Sequence, residues 1–280
     1  MKILITGSNG QLGTEFKHSK PSKHIELIFA DATEFDITNL ETIQSYFNRQ
    51  DIDIIVNCAA YTAVDKAEAD KEKAFTINKN GVKNLITACE KYNIKLIHFS
   101  TDYVFNGMHY KPYNENDDVN PIGVYGKSKR AGEELILKSS ISSLIIRTSW
   151  LYSRFGHNFM KSMIKLGKER EELNIVYDQI GTPTHARDLV KAVLTCINQH
   201  SSWHSQQKVY HFSNEGVVSW YDFALAIFEK EKINCKVYPI LSKDFPTKAE
   251  RPHYSVLDKT KFKADFDIDI PHWLESLKSL

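Results

Sequence analysis

The segment 2–13, with the sequence KILITGSNGQLG, decides the fold of this chain. Its first part, Lys2–Thr6, is mostly aliphatic and predicts a short buried strand. A turn with the spacing GxxGxxG follows at once, and a helical stretch, Thr14–Lys17, comes next. Together these predict a dinucleotide site, because the glycines let the backbone approach a pyrophosphate and the helix dipole favours its charge. The alternative is a glycine-rich turn without a ligand.

Apolar strand-like segments alternate with helical segments through residues 1–150. The predicted strands are Lys2–Thr6, Glu26–Ala30, Ile54–Cys58, Lys95–Ser100 and Ser143–Arg147. The predicted helices are Leu40–Arg49, Lys71–Tyr92 and Lys127–Ser139. This pattern is typical of a parallel sheet covered on both faces. The sequence therefore predicts an α/β fold, a Rossmann-like doubly wound parallel sheet that forms a dinucleotide-binding domain in residues 1–150.

Four residues directly follow predicted strands: Gly7, Asp31, Ala59 and Thr101. Because ligands of such sheets bind beyond the carboxyl ends of the strands, we expect these residues to meet in one crevice.

Residues 151–280 are expected to form mainly a smaller C-terminal substrate-binding lobe, from which some segments return to pack on the sheet. The sequence predicts a loop at 178–184, helices near 186–198 and 219–232, and a strand at 208–213. The proline-bearing segment 243–252 is irregular and is a candidate lid or binding loop.

The composition limits the function. The chain has 280 residues and a net charge of +1, from 36 basic and 35 acidic residues, and so no electrostatic signature of nucleic-acid binding. No apolar run approaches the roughly 20 residues that span a bilayer, and the amino terminus predicts a core strand, not a signal peptide. The four cysteines lack metal-type spacing and indicate reduced thiols in the cytoplasm. The histidines form no HExxH motif, and no metal site is expected.

Tyr125 and Lys129 stand four residues apart in the segment YGKSK. On a helix this spacing places both side chains on one face, where the ammonium favours the phenolate and lowers the phenol pKa from its usual value of about 10. A tyrosine tuned in this way exchanges a proton with a carbinol oxygen while a hydride moves at carbon. The alternative is an ordinary surface helix with a stray aromatic.

Several ordered segments resemble the extended short-chain dehydrogenase/reductase family. They span nearly the whole chain: Gly7 and Gly10–Gly13, Asn57–Glu68 and Asn78, Ser100–Phe105, Tyr125 with Lys129, Arg147–Trp150, and Gly181–Thr184. The resemblance implies reduction of the C4 ketone of a nucleotide sugar, dTDP-4-dehydro-L-rhamnose, to dTDP-L-rhamnose. It implies NADPH or NADH as the cofactor, and a monomer or a homodimer.

One position separates two reactions of that family. Its sugar-nucleotide 4,6-dehydratases carry Thr-Asp-Glu where this chain has Thr101-Asp102-Tyr103. Without a carboxylate at position 103, the base that removes the C5 proton is missing. Ketone reduction needs no such base, so Tyr103 favours a reductase.

The resemblance gives three residues catalytic roles. Tyr125 is the general acid that protonates O4 of the sugar. Lys129 binds the nicotinamide ribose and lowers the tyrosine pKa. Thr101 bonds the same oxygen and tunes Tyr125, or it caps its own turn at the strand end. Asp102 contacts the sugar or caps a helix.

The implied cofactor residues follow the first three strands. They are Gly7, Gly10, Gln11, Leu12 and Gly13 near the pyrophosphate, Asp31 at the adenosine ribose, Asp36 and Ile37 at the adenine, and Ala59, Ala60 and Tyr61 along the cofactor, with Tyr125 and Lys129. An acid at the ribose usually disfavours a 2′-phosphate, although the family includes users of either cofactor. Asp31 is alternatively a solvated turn residue.

The implied substrate contacts are Thr62, Val64, Thr101, Asp102 and Trp150. Trp150 is alternatively a core aromatic. Arg251 is a candidate partner of the diphosphate, because a guanidinium grips phosphate bidentately, or else a surface arginine. Some family members bridge a dimer through a magnesium site of several glutamates. Glu15 matches one of them, but convincing partners are missing, and no such site is expected.

Two other functions stay open. One is a different nucleotide-sugar enzyme of the family, such as an epimerase or a reductase of another deoxysugar. The other is a non-catalytic dinucleotide-binding regulator, since a regulatory subunit of methionine adenosyltransferase resembles these reductases. The presence of Thr101, Tyr125 and Lys129 argues against a regulator.

Overall fold

A computed structural model describes residues 1–199 and 207–280, and its centre is a parallel sheet. The sheet strands are β1 (Lys2–Thr6), β2 (Glu26–Ala30), β3 (Ile54–Asn57), β4 (Lys95–Thr101), β5 (Ser143–Thr148) and β10 (Gln207–Phe212). Their order is β10-β5-β4-β3-β1-β2, and every neighbouring pair is parallel. The strand order reverses between β1 and β3, which is where ligands bind in open α/β sheets.

Both faces of the sheet are covered by helices. The helices are α1 (Gln11–Lys17), α2 (Leu40–Phe47), α3 (Val64–Ala67), α4 (Lys71–Phe75), α5 (Val82–Tyr92), α6 (Val124–Lys138), α7 (Phe159–Glu169), α8 (Ala186–Asn198), α9 (Trp220–Glu231), α10 (Thr260–Phe266) and α11 (Trp273–Lys278). Alternate residues of each strand enter separate cores: Ile3 and Ile5 pack with α1, α8 and α10, whereas Leu4 packs with α2, α5 and α6. This confirms the predicted doubly wound α/β fold.

Two helices differ from the prediction, and both differences bear on the site. The predicted helix 71–92 is interrupted by a π-helical turn, Thr76–Gly81. The helix α6 begins at Val124, earlier than predicted, so Tyr125 lies in its first turn. The predicted strands agree with the observed ones apart from small shifts of their ends, because long aliphatic runs identify buried strands well.

Most of the second half packs into a separate small core. The strands β7 (Glu172–Val176) and β12 (Lys236–Ile240) pair in parallel beside α7 and α9. Two short pairs, β6 (Leu151–Tyr152) with β9 (Thr184–His185) and β8 (Ile180–Gly181) with β11 (Val218–Ser219), complete the lobe. β10 and α8 instead return to the main sheet. Within the described residues, none of the helices has the length and apolar character required to traverse a membrane.

Candidate active site

The glycine turn lies at the carboxyl edge of the sheet, directly against the end of β3. Gly7 has a φ of +59°, and a Cβ there would lie 2.7 Å from the backbone nitrogen of Ala59. Only glycine fits, because the left-handed backbone and the close approach each exclude a side chain. The parallel register places Ala30 and Asn57 beside Thr6. Gly7, Asp31 and Ala59 therefore follow their strands at the same carboxyl edge of the sheet, as predicted.

The first turn of α1 presents its backbone to that edge. Gly10 precedes the helix, and within the described chain no side chain caps this end. Free amides and the positive end of the helix dipole suit a phosphate group. Gln11 is held in place, since it donates to Leu151 O (3.0 Å) and accepts from Asn158 (2.6 Å). Leu12 and Gly13 are buried. The turn therefore fits a dinucleotide pyrophosphate.

Asp31 is already engaged in its own loop. Its Oδ1 accepts from the Thr33 amide (2.9 Å) and hydroxyl (2.7 Å), and its Oδ2 accepts from Asn9. Lys17 in turn donates to Asn9 Oδ1 (2.7 Å). The Thr33 hydrogen bonds hold the pKa of Asp31 below its usual value. Asp31 thus has the contacts of a turn residue, at a position beside the sheet edge.

Asp36 and Ile37, which the resemblance places at the adenine, lie in the loop between β2 and α2. Asp36 Oδ1 accepts from the Thr38 amide (2.9 Å) and hydroxyl (2.8 Å). Ile37 is buried, and its carbonyl accepts from Asn84 (3.0 Å). These contacts fix the loop rigidly below the start of α2.

The loop after β3 is clamped by a residue of the π-helical turn. Asn78 accepts from the Tyr61 amide (2.9 Å), donates to Tyr61 O (3.0 Å) and donates to Ser128 Oγ (2.9 Å). It therefore connects the segment of Ala59, Ala60 and Tyr61 to α6, next to Lys129. Thr62 is exposed and Val64 is half-buried at the start of α3.

Tyr125 reaches the edge because α6 packs unusually close to the turn after β4. A Cβ on Gly126 would lie 2.2 Å from Tyr103 O, so the residue after the tyrosine has to be glycine. The rings of Tyr103 and Tyr125 meet edge to face, with centroids 5.6 Å apart. The β4–α6 contact therefore determines where the Tyr125 hydroxyl lies.

Thr101 caps its own turn and also contacts Tyr125. Its hydroxyl accepts from the Tyr103 amide (3.2 Å) and so caps the 3₁₀ turn Asp102–Val104. The same hydroxyl donates to Asp102 Oδ1 (3.0 Å) and also hydrogen bonds Tyr125. Thr101, Asp102 and Tyr125 form one polar group, in which Thr101 and Asp102 are buried and Tyr125 is half-buried.

Asp102 is a buried acid with an incomplete set of partners. Its side chain is 1% exposed, and its Oδ2 has no hydrogen-bond partner among the residues that the structure describes. Burial raises the pKa of Asp102 to about 6, against the effect of the nearby Ser255 and Thr101 hydroxyls. An unpartnered buried oxygen at the site is a candidate contact for a substrate hydroxyl.

The predicted lowering of the Tyr125 pKa is wrong. Burial raises the pKa of Tyr125 to about 12, and the Thr101 hydrogen bond opposes that rise. Desolvation dominates because α6 and the 3₁₀ turn enclose the phenol. Tyr125 is accordingly held in its protonated form, which is the form that a proton donor requires.

Lys129 is fully enclosed between α6 and the sheet. Its Nζ donates to Phe99 O (2.6 Å) and lies 3.4 Å from His98 Nε2. Burial lowers the pKa of Lys129 to about 8, and the charge of Glu133 opposes this. The lysine is a buried cation one helical turn from Tyr125, as the spacing predicts.

Trp150 lies between the two lobes in a strained backbone. Its φ is +47°, and its ring stacks on Trp220 with centroids 3.5 Å apart. Trp220 is held by a hydrogen bond to Gln179 Oε1 (3.2 Å). Trp150 is only half-buried. A left-handed tryptophan is typical of a functional position, where surrounding contacts maintain the strain.

Arg251 forms an ion pair with Asp65 and does not lie free on the surface. Its two Nη atoms donate to Asp65 Oδ1 and Oδ2 (3.2 and 2.7 Å), and 21% of its side chain is exposed. Asp65 lies on α3, so the pair joins the irregular segment 243–252 to the loop that carries Thr62 and Val64. Sequence reasoning did not predict this pair.

Glu15, which matches one glutamate of the family's magnesium site, has a partner within the chain. Glu15 is buried in α1 and accepts from Ser153 Oγ (2.5 Å). In the described part of the chain, no three His, Cys, Asp or Glu side chains group as metal ligands.

A glycine turn at the first strand, with a threonine at the end of β4 beside a tyrosine and a lysine one turn apart on α6, is the arrangement of the extended short-chain dehydrogenases/reductases. Within that class, this chain belongs to the RmlD substrate binding domain family, which matches it over residues 1–280.

Three similar proteins have named activities. The dTDP-4-dehydrorhamnose reductase of Aggregatibacter actinomycetemcomitans is 40% identical, over 100% of this chain and 98% of that protein. The crystal structure of a dTDP-4-dehydrorhamnose reductase from Clostridium acetobutylicum ATCC 824 is 42% identical, with a TM-score of 0.94 over 100% of this chain and 98% of the other. The Bacillus anthracis str. Ames reductase, solved in complex with NADP, is 38% identical, with a TM-score of 0.94 over 99% and 97%.

Proposed function

We propose that this chain reduces the C4 ketone of dTDP-4-dehydro-L-rhamnose to dTDP-L-rhamnose, with a reduced nicotinamide dinucleotide as the hydride source. The observation that carries the proposal is the half-buried Tyr125 between the buried Thr101 and Lys129, at the sheet edge that carries the glycine turn. Full-length similarity to named reductases at about two-fifths identity supports the same substrate class.

The cofactor side of the site favours NADPH. Both carboxylate oxygens of Asp31 already accept hydrogen bonds, from Thr33 in its own loop and from Asn9 in the glycine turn, and so are not free to bind the ribose 2′-hydroxyl that NADH offers. Lys17 lies next to that loop and supplies a positive charge. The Bacillus anthracis relative was solved with NADP. We infer that Gly10, Gln11 and Leu12 hold the pyrophosphate and that Lys129 meets the nicotinamide ribose.

The chain's own residues supply the proton. When bound, the cofactor supplies a hydride to the carbonyl carbon. Tyr125 gives its phenolic proton to O4 as negative charge develops there, and the O–H bond of the product forms. The Thr101 hydroxyl, which contacts Asp102 and Tyr125, can then donate to the phenolate. The Lys129 ammonium, one turn away, also favours that phenolate.

The substrate side is proposed to lie between the sheet and the second lobe. Trp150 offers an aromatic surface to the sugar, and Asp102 offers an unpartnered oxygen to a sugar hydroxyl. The segment of Thr62 and Val64 is proposed to contact the nucleotide. Arg251 can contact the diphosphate if that group competes with Asp65 for the guanidinium. In this arrangement the cofactor contacts all lie in residues 1–150, and residues 151–280 contribute Arg251 and, through Trp220, the support of Trp150.

The test is the oxidation of NADPH and of NADH, followed at 340 nm, with dTDP-4-dehydro-L-rhamnose as substrate. We expect turnover by the wild type, faster with NADPH, and a loss of about 10²- to 10⁴-fold in kcat for Tyr125→Phe. Tyr152→Phe is the matched control, because it removes another buried phenol hydroxyl that lies outside the site. It should retain wild-type kcat.

Absence of oxidation with either cofactor would disprove the reductase assignment. Equal rates for wild type and Tyr125→Phe would remove Tyr125 from the mechanism. A UDP-linked 4-keto sugar in parallel distinguishes a reductase of another sugar, since that enzyme would prefer the alternative substrate. A non-catalytic regulator would bind NADPH without oxidising it.

A further inference from the structure

His98 is a buried side chain in the middle of β4 that the proposed chemistry does not use. It is 1% exposed and faces α6, between Asn57 of β3 and Lys129. Burial, reinforced by the charge of Lys129, keeps the pKa of His98 well below its usual value, so the imidazole is neutral. A neutral histidine in such a place has one N–H and one bare nitrogen, and its neighbours determine which is which.

A chain of hydrogen bonds orients this imidazole. Thr6 Oγ1 accepts from the Ala59 amide (3.4 Å) and donates to Asn57 Oδ1 (2.7 Å). The amide nitrogen of Asn57 then faces His98 Nδ1 at 3.1 Å. Since Asn57 Nδ2 is a donor, Nδ1 of the histidine is the acceptor and the proton lies on Nε2. That Nε2 lies 3.4 Å from Lys129 Nζ.

We propose that His98 is a positioning residue for Lys129: Thr6 and Asn57 fix its ring so that Nε2 lies against the lysine Nζ, where the ring limits the position of the amine that Phe99 O binds and its N–H opposes protonation of that amine. This deepens the proposed function and rests on it. This series of hydrogen bonds begins at Thr6, directly before the glycine turn, and ends at Lys129. It therefore links the loop that holds the pyrophosphate to the amine that meets the ribose.

The consequence concerns the charge of Lys129. An ammonium that faces an imidazole N–H gains nothing from it, whereas a neutral amine accepts that hydrogen bond. His98 in this tautomer thus acts in the same direction as burial and brings the lysine closer to deprotonation. The other titratable or charged groups around Lys129 are Glu133 and Tyr125 on α6, Arg130 and Arg147 paired with Glu133, and Asp102 beyond Tyr125.

Two substitutions of similar size separate positioning from mere packing. His98→Gln places an amide nitrogen near the position of Nε2, and His98→Asn places one near Nδ1 only. We expect His98→Asn to lower kcat about tenfold and to move the alkaline limb of its pH profile by about half a pH unit or more. His98→Gln should recover most of both, and KM for the nucleotide sugar should stay within about twofold in each, because His98 does not face the sugar.

The control is His211→Asn, which changes an equally buried histidine of β10 whose Nε2 faces Arg147 instead. It should leave the pH profile unchanged. If His98→Asn and His98→Gln lose kcat equally, or if neither moves the alkaline limb, the positioning role is disproved.

A cofactor-free measurement separates this inference from the proposed function. In ¹⁵N-histidine-labelled protein, the His98 signals are those that disappear in His98→Gln. We expect a bare Nδ1 and a protonated Nε2 near neutral pH, with the Nε2 signal shifted in Lys129→Met. A proton on Nδ1, or no response to Lys129→Met, would overturn the proposal whether or not the protein reduces a sugar. Conversely, an inactive wild type with the expected spectrum would refute only the reductase assignment.

Discussion

Two buried charges lie one turn apart on the same face of α6 and are treated in opposite ways. Glu133 is 0% exposed and receives two bonds from Arg147, each of 2.9 Å, and a third from Arg130 at 3.0 Å. The two guanidinium groups hold its pKa below the usual value despite burial. Lys129 has a carbonyl and an imidazole instead, and burial lowers its pKa to about 8.

The difference indicates that Glu133 and Lys129 have different roles in the protein. A buried charge with a complete set of partners contributes to structure, because its partners replace the lost hydration. A buried charge with weak partners destabilises the fold and is retained where chemistry needs a shifted pKa. Asp102 belongs with Lys129 in this respect, since burial raises its pKa to about 6. The site therefore combines an under-compensated cation and an under-compensated acid on either side of Tyr125.

Arg147→Leu tests Glu133, the buried charge with a complete set of partners, and should have the largest effect on stability. It leaves Glu133 buried without its main partner, and we expect a loss of about 3–5 kcal/mol in the free energy of unfolding. Urea denaturation measures it. The double variant Glu133→Leu/Arg147→Leu is the control, because replacing the whole pair by apolar residues should restore much of the loss. A stable single variant would show that the pair is not needed.

Lys129→Met tests the buried charge with weak partners, and its effect on stability should have the opposite sign. A lysine pKa lowered from 10.5 to about 8 means that the native state binds fewer protons than the unfolded state between those values, so stability rises with pH there. Removing the charge should therefore stabilise the protein at pH 7, by up to about 3 kcal/mol, while reducing kcat at least about 100-fold. The stability gain should shrink as the pH rises towards 10. Destabilisation at pH 7 would place Lys129 with Glu133.

Asp102→Asn is the corresponding test of the buried acid, and the expected gain in stability is smaller. The native state holds the Asp102 proton up to about pH 6 and the unfolded state only to about 3.8, so wild-type stability falls as the pH rises between these values. With asparagine at this position stability no longer falls as the pH rises, but a polar side chain must still be desolvated on folding. We expect a gain of about 1–2 kcal/mol at pH 7 and none at pH 4, by denaturation at both values. A pH-independent difference would contradict the raised pKa.

The sequence predicted the sheet and that Thr101, Tyr125 and Lys129 lie close together, but not the balance of charges around them. The strands are aliphatic runs, and Thr101, Tyr125 and Lys129 stand in short local motifs, so both could be found without coordinates. His98 and Lys129 are 31 positions apart, and Asp65 and Arg251 are 186 apart, so only the folded chain brings each pair together. The Tyr125 pKa was predicted in the wrong direction because spacing shows the lysine but not the depth of burial.

Arg130→Ala sharpens the comparison with the smallest change. Arg130 also bonds Glu133, but 25% of its side chain is exposed, and it forms a second ion pair with the half-exposed Glu134 at 3.2 Å. Because water can replace an exposed guanidinium and Arg147 stays in place, we expect a loss of only about 0.5–1 kcal/mol, measured by urea denaturation. If Arg130→Ala instead destabilised the protein as much as Arg147→Leu, Glu133 would need both cations. In that case the buried charge of Glu133 would be as sensitive to a change in its surroundings as the buried charge of Lys129.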